Sequence, residues 1–249
     1  MKKPKYHHLI TLVNMIDAPN ANAIQRFLSE ARNDVYDARG STNNHQTWRG
    51  GWWDHTTEAM NIAVVLYPIL DALRPLPFTL SDALLVLFMH DVEKPWKYEM
   101  RNGEWVHRID MIMKSEHQAY RMKLADRWGV KLTEEHINGI KYAEGEVDDY
   151  TPHERVMQPL AAFAHMCDNW SARGWFDHPL ENDDPWIGAR RIASASNPVV
   201  RSGARIAPDG VDEEEYLEKL KLNVEQMVDD VISASMMNPK RRDHIFRKK

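Results

Sequence analysis

Ser81-Asp82-Ala83-Leu84-Leu85-Val86-Leu87-Phe88-Met89-His90-Asp91 is an apolar run of helical length that ends in an adjacent imidazole and carboxylate. Val92-Glu93-Lys94-Pro95 follows it. A helix apolar on all faces belongs inside a protein. A His-Asp pair carried inward on its end is costly to desolvate unless it gains partners. A metal ion is the simplest such partner, because it takes a neutral imidazole and an ionised carboxylate.

Working outward, the flanking segments also read as helices. Toward the N-terminus, Asp54 can cap a helix that runs through Ala59, Ile62, Ala63, Leu66, Ile69 and Leu70 to about Leu73, where Pro75 and Pro77 stop it. Thr79 or Ser81 then opens the His90-Asp91 helix. Further upstream, residues 1–19 read as a loosely packed lead-in, and Asn20 or Asn22 can cap a helix to about Asp37, ended by Gly40. Residues 41–51 are a polar, turn-rich loop.

Downstream, Lys97–Arg101, the Asn102-Gly103 pair and Glu104–His107 predict a β-hairpin with a primed turn, placed as a flap beside the His-Asp pair. Helices are expected over Ile109–Trp128, Glu134–Ala143 behind a Thr133 cap, and from Pro152 through Val156, Leu160, Phe163, Ala164 and Cys167 to Asp168. A short helix over 185–194, an acidic amphipathic helix over 212–234 and a basic tail from Lys240 complete the chain. No repeat and no βαβ alternation is visible. The expected fold class is all-α with one minor hairpin, divided as 1–39 (lead-in and helix), 40–174 (core) and 175–249 (helical extension with basic tail).

Composition narrows the function classes. A chain of 249 residues, 43% hydrophobic and 28% charged, can bury a substantial core. A net charge of -5 argues against a general nucleic-acid coat or a membrane-surface role. No run approaches the roughly 18 apolar residues of a membrane span. Cys167 is the only cysteine, so no intramolecular disulfide forms, and a reducing, cytoplasmic setting is expected. Cys167 itself reads as a small core residue. The short apolar run Leu9–Ile16, broken by Asn14 and closed by Asp17, reads as something other than a secretion signal. Twelve His and nine Trp are an unusual excess, and that mix is common around polar ligand sites.

Three places put metal-preferring side chains on or beside helices: His55, then His90 with Asp91, then Asp168, which lies three residues after His165 and so shares its helical face. Two imidazoles and two carboxylates suit Mn, Fe, Co, Ni, Zn or Mg better than a thiolate-preferring metal. On a six-coordinate ion such a set leaves positions for water and a phosphate oxygen, the arrangement of metal-assisted hydrolysis.

The local sequences add a resemblance. Asn43-Asn44-His45-Gln46-Thr47-Trp48-Arg49-Gly50-Gly51-Trp52-Trp53-Asp54-His55-Thr56 resembles the His…Gly-Gly-x-x-x-His-Thr segment of the HD-domain metal-dependent phosphohydrolases. His90-Asp91-Val92-Glu93-Lys94 resembles their signature His-Asp with its following Lys, and Ala164-His165-Met166-Cys167-Asp168 resembles their late-helix His-x-x-Asp. The order of the three segments agrees, and the resemblance spans roughly residues 40–173.

The resemblance implies a helical bundle holding one divalent ion (Mn, Fe, Co, Ni, Zn or Mg) on His55, His90, Asp91 and Asp168. It implies that Lys94 reaches a substrate phosphate or pairs with Asp91, and that His45 and His117 contact substrate, support the ligands or hold a second metal. Two departures matter. Tyr142-Ala143-Glu144-Gly145 stands where binuclear members often carry further histidines, which favours a single metal. Lys94 stands where several nucleotidases place a glutamate, so the group that activates water is open among Asp91, His117 and Glu93. Arg49, Lys94 and Arg173 are candidates to grip phosphate. Trp48, Trp52 and Trp53 either stack a base or pack at a helix entry.

The implied activity is hydrolysis of a phosphate ester or anhydride of a nucleotide, of nucleotidase or dNTP phosphohydrolase type. A 3′–5′ exonuclease or cyclic-nucleotide phosphodiesterase on the same site is the rival within enzymes. A non-catalytic nucleotide-sensing module is the rival outside them. The basic tail leaves single-stranded nucleic acid open as a partner, and the acidic 212–234 helix leaves a homo-oligomer contact open.

Overall fold

The computed structural model describes residues 5–174, apart from 43, 147 and 148. The helices expected over 185–194 and 212–234, and the basic tail, lie outside the described residues. The described part is mostly helical with one two-stranded sheet. Its elements are α1 (Leu9–Val13), α2 (Asn20–Glu30), α3 (Arg32–Asp37), α4 (Gly51–Leu73), α5 (Leu80–Met89), α6 (Lys94–Lys97), β1 (Tyr98–Arg101), β2 (Glu104–His107), α7 (Lys114–Trp128), α8 (Glu134–Tyr142) and α9 (Pro159–Gly174). None of these helices is long and apolar enough to cross a membrane.

α5 is the central helix. Every residue from Ala83 to Met89 is buried, as its uniform hydrophobicity predicts. Thr79 starts it with a reciprocal cap: its hydroxyl accepts from the Asp82 N–H at 3.1 Å, and the Asp82 carboxylate accepts from the Thr79 N–H at 2.8 Å. α4, α8 and α9 pack around it. Phe88 lies edge-on to Phe27 and to Trp52, with ring centroids 5.9 Å apart in both pairs. Burying each such ring contributes roughly 1.5–3 kcal/mol.

The lead-in is better packed than the sequence suggests. Leu9, Leu12 and Val13 of α1 are wholly buried in the same core as α4 and α5. The helix expected over 20–37 breaks at Ala31 into α2 and α3. The residue before α4 is Gly50, in the left-handed region at φ +86°, so Asp54 lies within the first turn instead of capping it. Asp54 is buried there and accepts from Trp48 Nε1 at 2.7 Å.

The hairpin forms as expected. Tyr98 pairs with His107 and Arg101 with Glu104, while Asn102 and Gly103 take φ of +53° and +86°, the signature of a primed turn. α7 begins at Lys114 and not at Ile109, because Glu116 Oε2 accepts from the N–H groups of Ile112 and Met113 and fixes the start there. Similarly, α9 begins at Pro159 and not at Pro152. The Asn138 amide holds Val156 O and Gln158 N, and Pro159 suits a first turn. Cys167 lies in the core as a small buried residue, its thiol pushed well up by burial.

Candidate metal centre

Three elements deliver the site. α4 brings His55 from its second turn, the end of α5 brings His90 and Asp91, and α9 brings Asp168. The helix ends are held locally. Trp52 Nε1 donates to the Asp91 carbonyl at 2.8 Å, tying the start of α4 to the turn after α5. Trp48 and Trp52 are therefore buried packing residues.

His55 Nε2, His90 Nε2, Asp91 and Asp168 present one donor atom each, all within 4.8 Å of one another. His55 Nε2 stands 2.9 Å from Asp168 Oδ1 and 3.4 Å from Asp91 Oδ2. His90 Nε2 stands 3.2 Å from Asp168 Oδ1 and 3.3 Å from Asp91 Oδ2. Two ligands at right angles, each about 2.0–2.2 Å from a common ion, are separated by about 3 Å. The donor set therefore fits an ion.

The hydrogen bonds fit it as well. His90 Nδ1 lies 2.7 Å from the Leu87 carbonyl, which must be the acceptor, so Nε2 is the nitrogen that faces the cluster. His55 Nδ1 meets Ser171 Oγ at 3.0 Å. His55 Nε2 and both Asp91 carboxylate oxygens are buried without an aligned hydrogen-bond partner. Lys94 reaches Asp91 Oδ2 as an ion pair, but buried polar atoms are seldom left like His55 Nε2 and Asp91 Oδ1, and an ion would satisfy both.

The charges are strongly coupled. Burial opposes ionisation of Asp91, but His90 and Lys94 hold its carboxyl well below the usual range. Burial likewise opposes ionisation of Asp168, and the adjacent His55 and His90 imidazoles override it downward. For His90, burial disfavours the cation, yet Asp91 and Asp168 outweigh it and raise the pKa well above normal.

Lys94 Nζ is 2.5 Å from Asp91 Oδ2. Burial works against its charge, and Asp91 more than restores it, so its pKa rises. His45 lies against His55, the ring centroids 4.6 Å apart and the planes tilted by 53°; burial and then Lys94 keep it neutral. His117 is buried on α7, with Nε2 2.9 Å from the Met111 carbonyl; burial and then Lys97 lower its pKa.

Other expected residues take different places. Glu93 is wholly buried and bound by the Arg121 guanidinium through two bonds, 2.8 and 2.9 Å. Arg49 is exposed and pairs with Asp37, and Arg173 is exposed in the last turn of α9. His165 Nδ1 holds the Ala143 carbonyl at 2.6 Å.

Three residues that the sequence reading passes over belong here. Ser171 supports His55, while Arg121 stands 3.8 Å from Asp91 Oδ1 and 3.8 Å from Glu144 Oε1. A cavity of about 370 Å³ is lined by Arg121 and Glu144 together with Lys114, His117, Gln118 and Tyr142. No protein-family model, no curated protein and no solved structure matches the chain.

Proposed function

We propose that residues 40–174 form an HD-type, metal-dependent phosphohydrolase centre that cleaves a phosphate ester or anhydride of a nucleotide. The observation that carries this reading is the convergence of His55, His90, Asp91 and Asp168 within 4.8 Å, with the Lys94 ammonium 2.5 Å from Asp91 Oδ2. A divalent ion held by these four residues supplies a lowered pKa for water and polarisation of a P–O bond.

The chain's own groups do the rest. Leu87 O holds the Nδ1 side of the His90 ring, so Nε2 is the nitrogen turned toward the ion once its proton leaves. Lys94 remains cationic and places its charge where negative charge grows on a phosphoryl oxygen. His45, held neutral, can hydrogen-bond a phosphate oxygen or a water without adding charge. The neighbouring cavity, about 370 Å³, falls in the range of small-molecule pockets. Its lining carries Lys114, Arg121 and Lys141 against Glu144, Glu146 and Asp149, a balance that suits a single nucleotide better than a polyanionic strand.

The test is release of phosphate and nucleoside by the purified protein with Mn, Co, Ni or Mg, across dNTP, NMP and oligonucleotide substrates. The His90→Ala/Asp91→Ala variant runs alongside. Turnover of one class, abolished in the variant, is expected. Metal binding without turnover of any substrate would overturn the reading in favour of a nucleotide sensor.

A further inference from the structure

The hydrolysis proposed above needs a group that takes a proton from water, and the structure narrows the choice. Lys94, three residues after Asp91, is a cation. Asp91 and Asp168 are spent as donors to the ion. Glu93 is wholly buried and committed to Arg121 by two hydrogen bonds. His117 Nε2 is engaged with Met111 O at 2.9 Å.

Glu144 meets the remaining requirements. Its side chain is 30% exposed and lines the cavity beside the cluster, so a proton it accepts has a route to solvent. Its Oε1 stands 3.8 Å from Arg121 Nη2, which itself stands 3.8 Å from Asp91 Oδ1. One guanidinium nitrogen thus stands between this carboxylate and the donor set and is close to both.

The turn that presents Glu144 is fixed on both sides. Before it, the Ala143 carbonyl is held by His165 at 2.6 Å; after it, Gly145 N–H donates to Tyr142 O at 2.8 Å. Gly145 takes φ +100°, and an added Cβ would lie 3.5 Å from the His165 ring. His165 and Asp168 share one face of α9, so Glu144 is positioned relative to a donor residue by a single rigid helix. The charged groups around it are Arg121 and Lys114 from α7, Lys94 and Lys97 from α6, and Asp91. Burial and Asp91 resist its ionisation, but Arg121 and the two α6 lysines prevail and keep it an anion.

We infer that Glu144 is the proton acceptor for the attacking water, an inference that rests on the phosphohydrolase reading. As the water oxygen bonds to phosphorus, its O–H bond breaks and the proton passes to the Glu144 carboxylate. The P–O bond to the leaving group breaks, the electron pair departs on the leaving oxygen, and that oxygen takes a proton from solvent. Glu144 returns its own proton to solvent through the cavity.

The experiment compares wild type, Glu144→Gln, Glu144→Asp, Glu144→Ala and His117→Gln for Mn affinity by calorimetry and for turnover of the nucleotide substrate and of a p-nitrophenyl phosphate ester. Glu144→Gln is expected to keep Mn affinity and KM within threefold and to lose about 100-fold or more in kcat. The loss should be equal on both substrates, because a better leaving group does not replace a base for water. Glu144→Asp should recover part of the rate, and added formate should partly rescue Glu144→Ala. A Glu144→Gln enzyme within threefold of wild type, or one that loses Mn binding, or a kcat loss confined to His117→Gln, would overturn the assignment while leaving the wild-type hydrolysis standing. A wild type that turns over no phosphate ester with any metal would remove the phosphohydrolase reading and this assignment with it.

Discussion

Glu93 and Arg121 close a two-bond ion pair inside the protein, with Nε to Oε2 at 2.8 Å and Nη2 to Oε1 at 2.9 Å, although 28 positions separate them in sequence. The guanidinium also donates to the Ile140 carbonyl at 3.3 Å, so one side chain joins α7, α8 and the turn that carries Asp91. Breaking a buried pair strands a charge, whereas replacing both partners by apolar groups leaves none. Arg121→Met is therefore expected to cost about 3–5 kcal/mol. The double variant Glu93→Leu/Arg121→Met should recover most of that loss. Urea unfolding of the two variants checks it, and a double variant as unstable as the single one would contradict the account.

The same pair shows what the sequence could and could not reveal. His90-Asp91 was legible because its meaning is local: a polar pair ends an apolar run. His55 and Asp168 were candidates by residue type beside helices, and only the resemblance of their local segments joined them to His90-Asp91. The hairpin was legible because Asn102-Gly103 suits a primed turn by backbone preference alone. Arg121 gave no such signal. It lies on a helix whose surface is mostly polar, and only the fold brings Glu93 to it. Glu144 was equally silent, because its place depends on His165 and Arg121 reaching it from two other helices. The start of α9 was misplaced for a related reason, since the Asn138 amide fixes residues 156–158 from α8.

Ser171 offers a test of how the ligands are aimed. Its Oγ is wholly buried 3.0 Å from His55 Nδ1 and holds the ring so that Nε2 faces the carboxylates. Partners of this kind typically influence metal affinity by 10–100-fold. Ser171→Ala should weaken Mn binding by about that factor in calorimetry while leaving the far-ultraviolet circular dichroism unchanged. Asp168→Ala should abolish binding in the same assay. Equal affinity in Ser171→Ala and wild type would show that the packing around His55 orients it unaided.

The charge coupling gives a pH signature. His90 has a raised pKa in the folded, metal-free protein, against about 6.5 in the unfolded chain. Its stabilising contribution is therefore complete below pH ~6.5 and is lost as pH rises through the folded value. Asp91 and Asp168 have depressed values, so their contributions are intact above pH ~4 and do not change in this window. The metal takes only the neutral imidazole, so its affinity climbs over the same range. The expected result is a widening gap between the melting temperatures with saturating Mn and with EDTA from pH 6 to 8.5. A gap independent of pH would mean that no proton leaves His90 on binding.

Gly51 links the polar loop to the metal centre. A Cβ built there would lie 1.8 Å from the Gln46 carbonyl oxygen, 2.7 Å from its carbon and 2.9 Å from Gly40 N. All three are backbone atoms, and Gly40 N–H already donates to that same Gln46 oxygen at 3.0 Å, so no rotamer change can relieve the clash. Accommodating an alanine requires the 40–50 loop to move away from the start of α4. That loop carries His45 against the His55 ring and Trp48 against Asp54, and α4 itself carries His55. Gly51→Ala should therefore lose about 3 kcal/mol or more of stability, in the upper range for a point substitution. It should also weaken Mn binding even at temperatures where the variant remains folded, because the helix bearing His55 can no longer start where Trp52 is tied to the Asp91 carbonyl. Chemical unfolding and Mn calorimetry on one preparation measure both effects. A large stability loss with unchanged Mn affinity would mean that α4 holds its register without the close approach at Gly51.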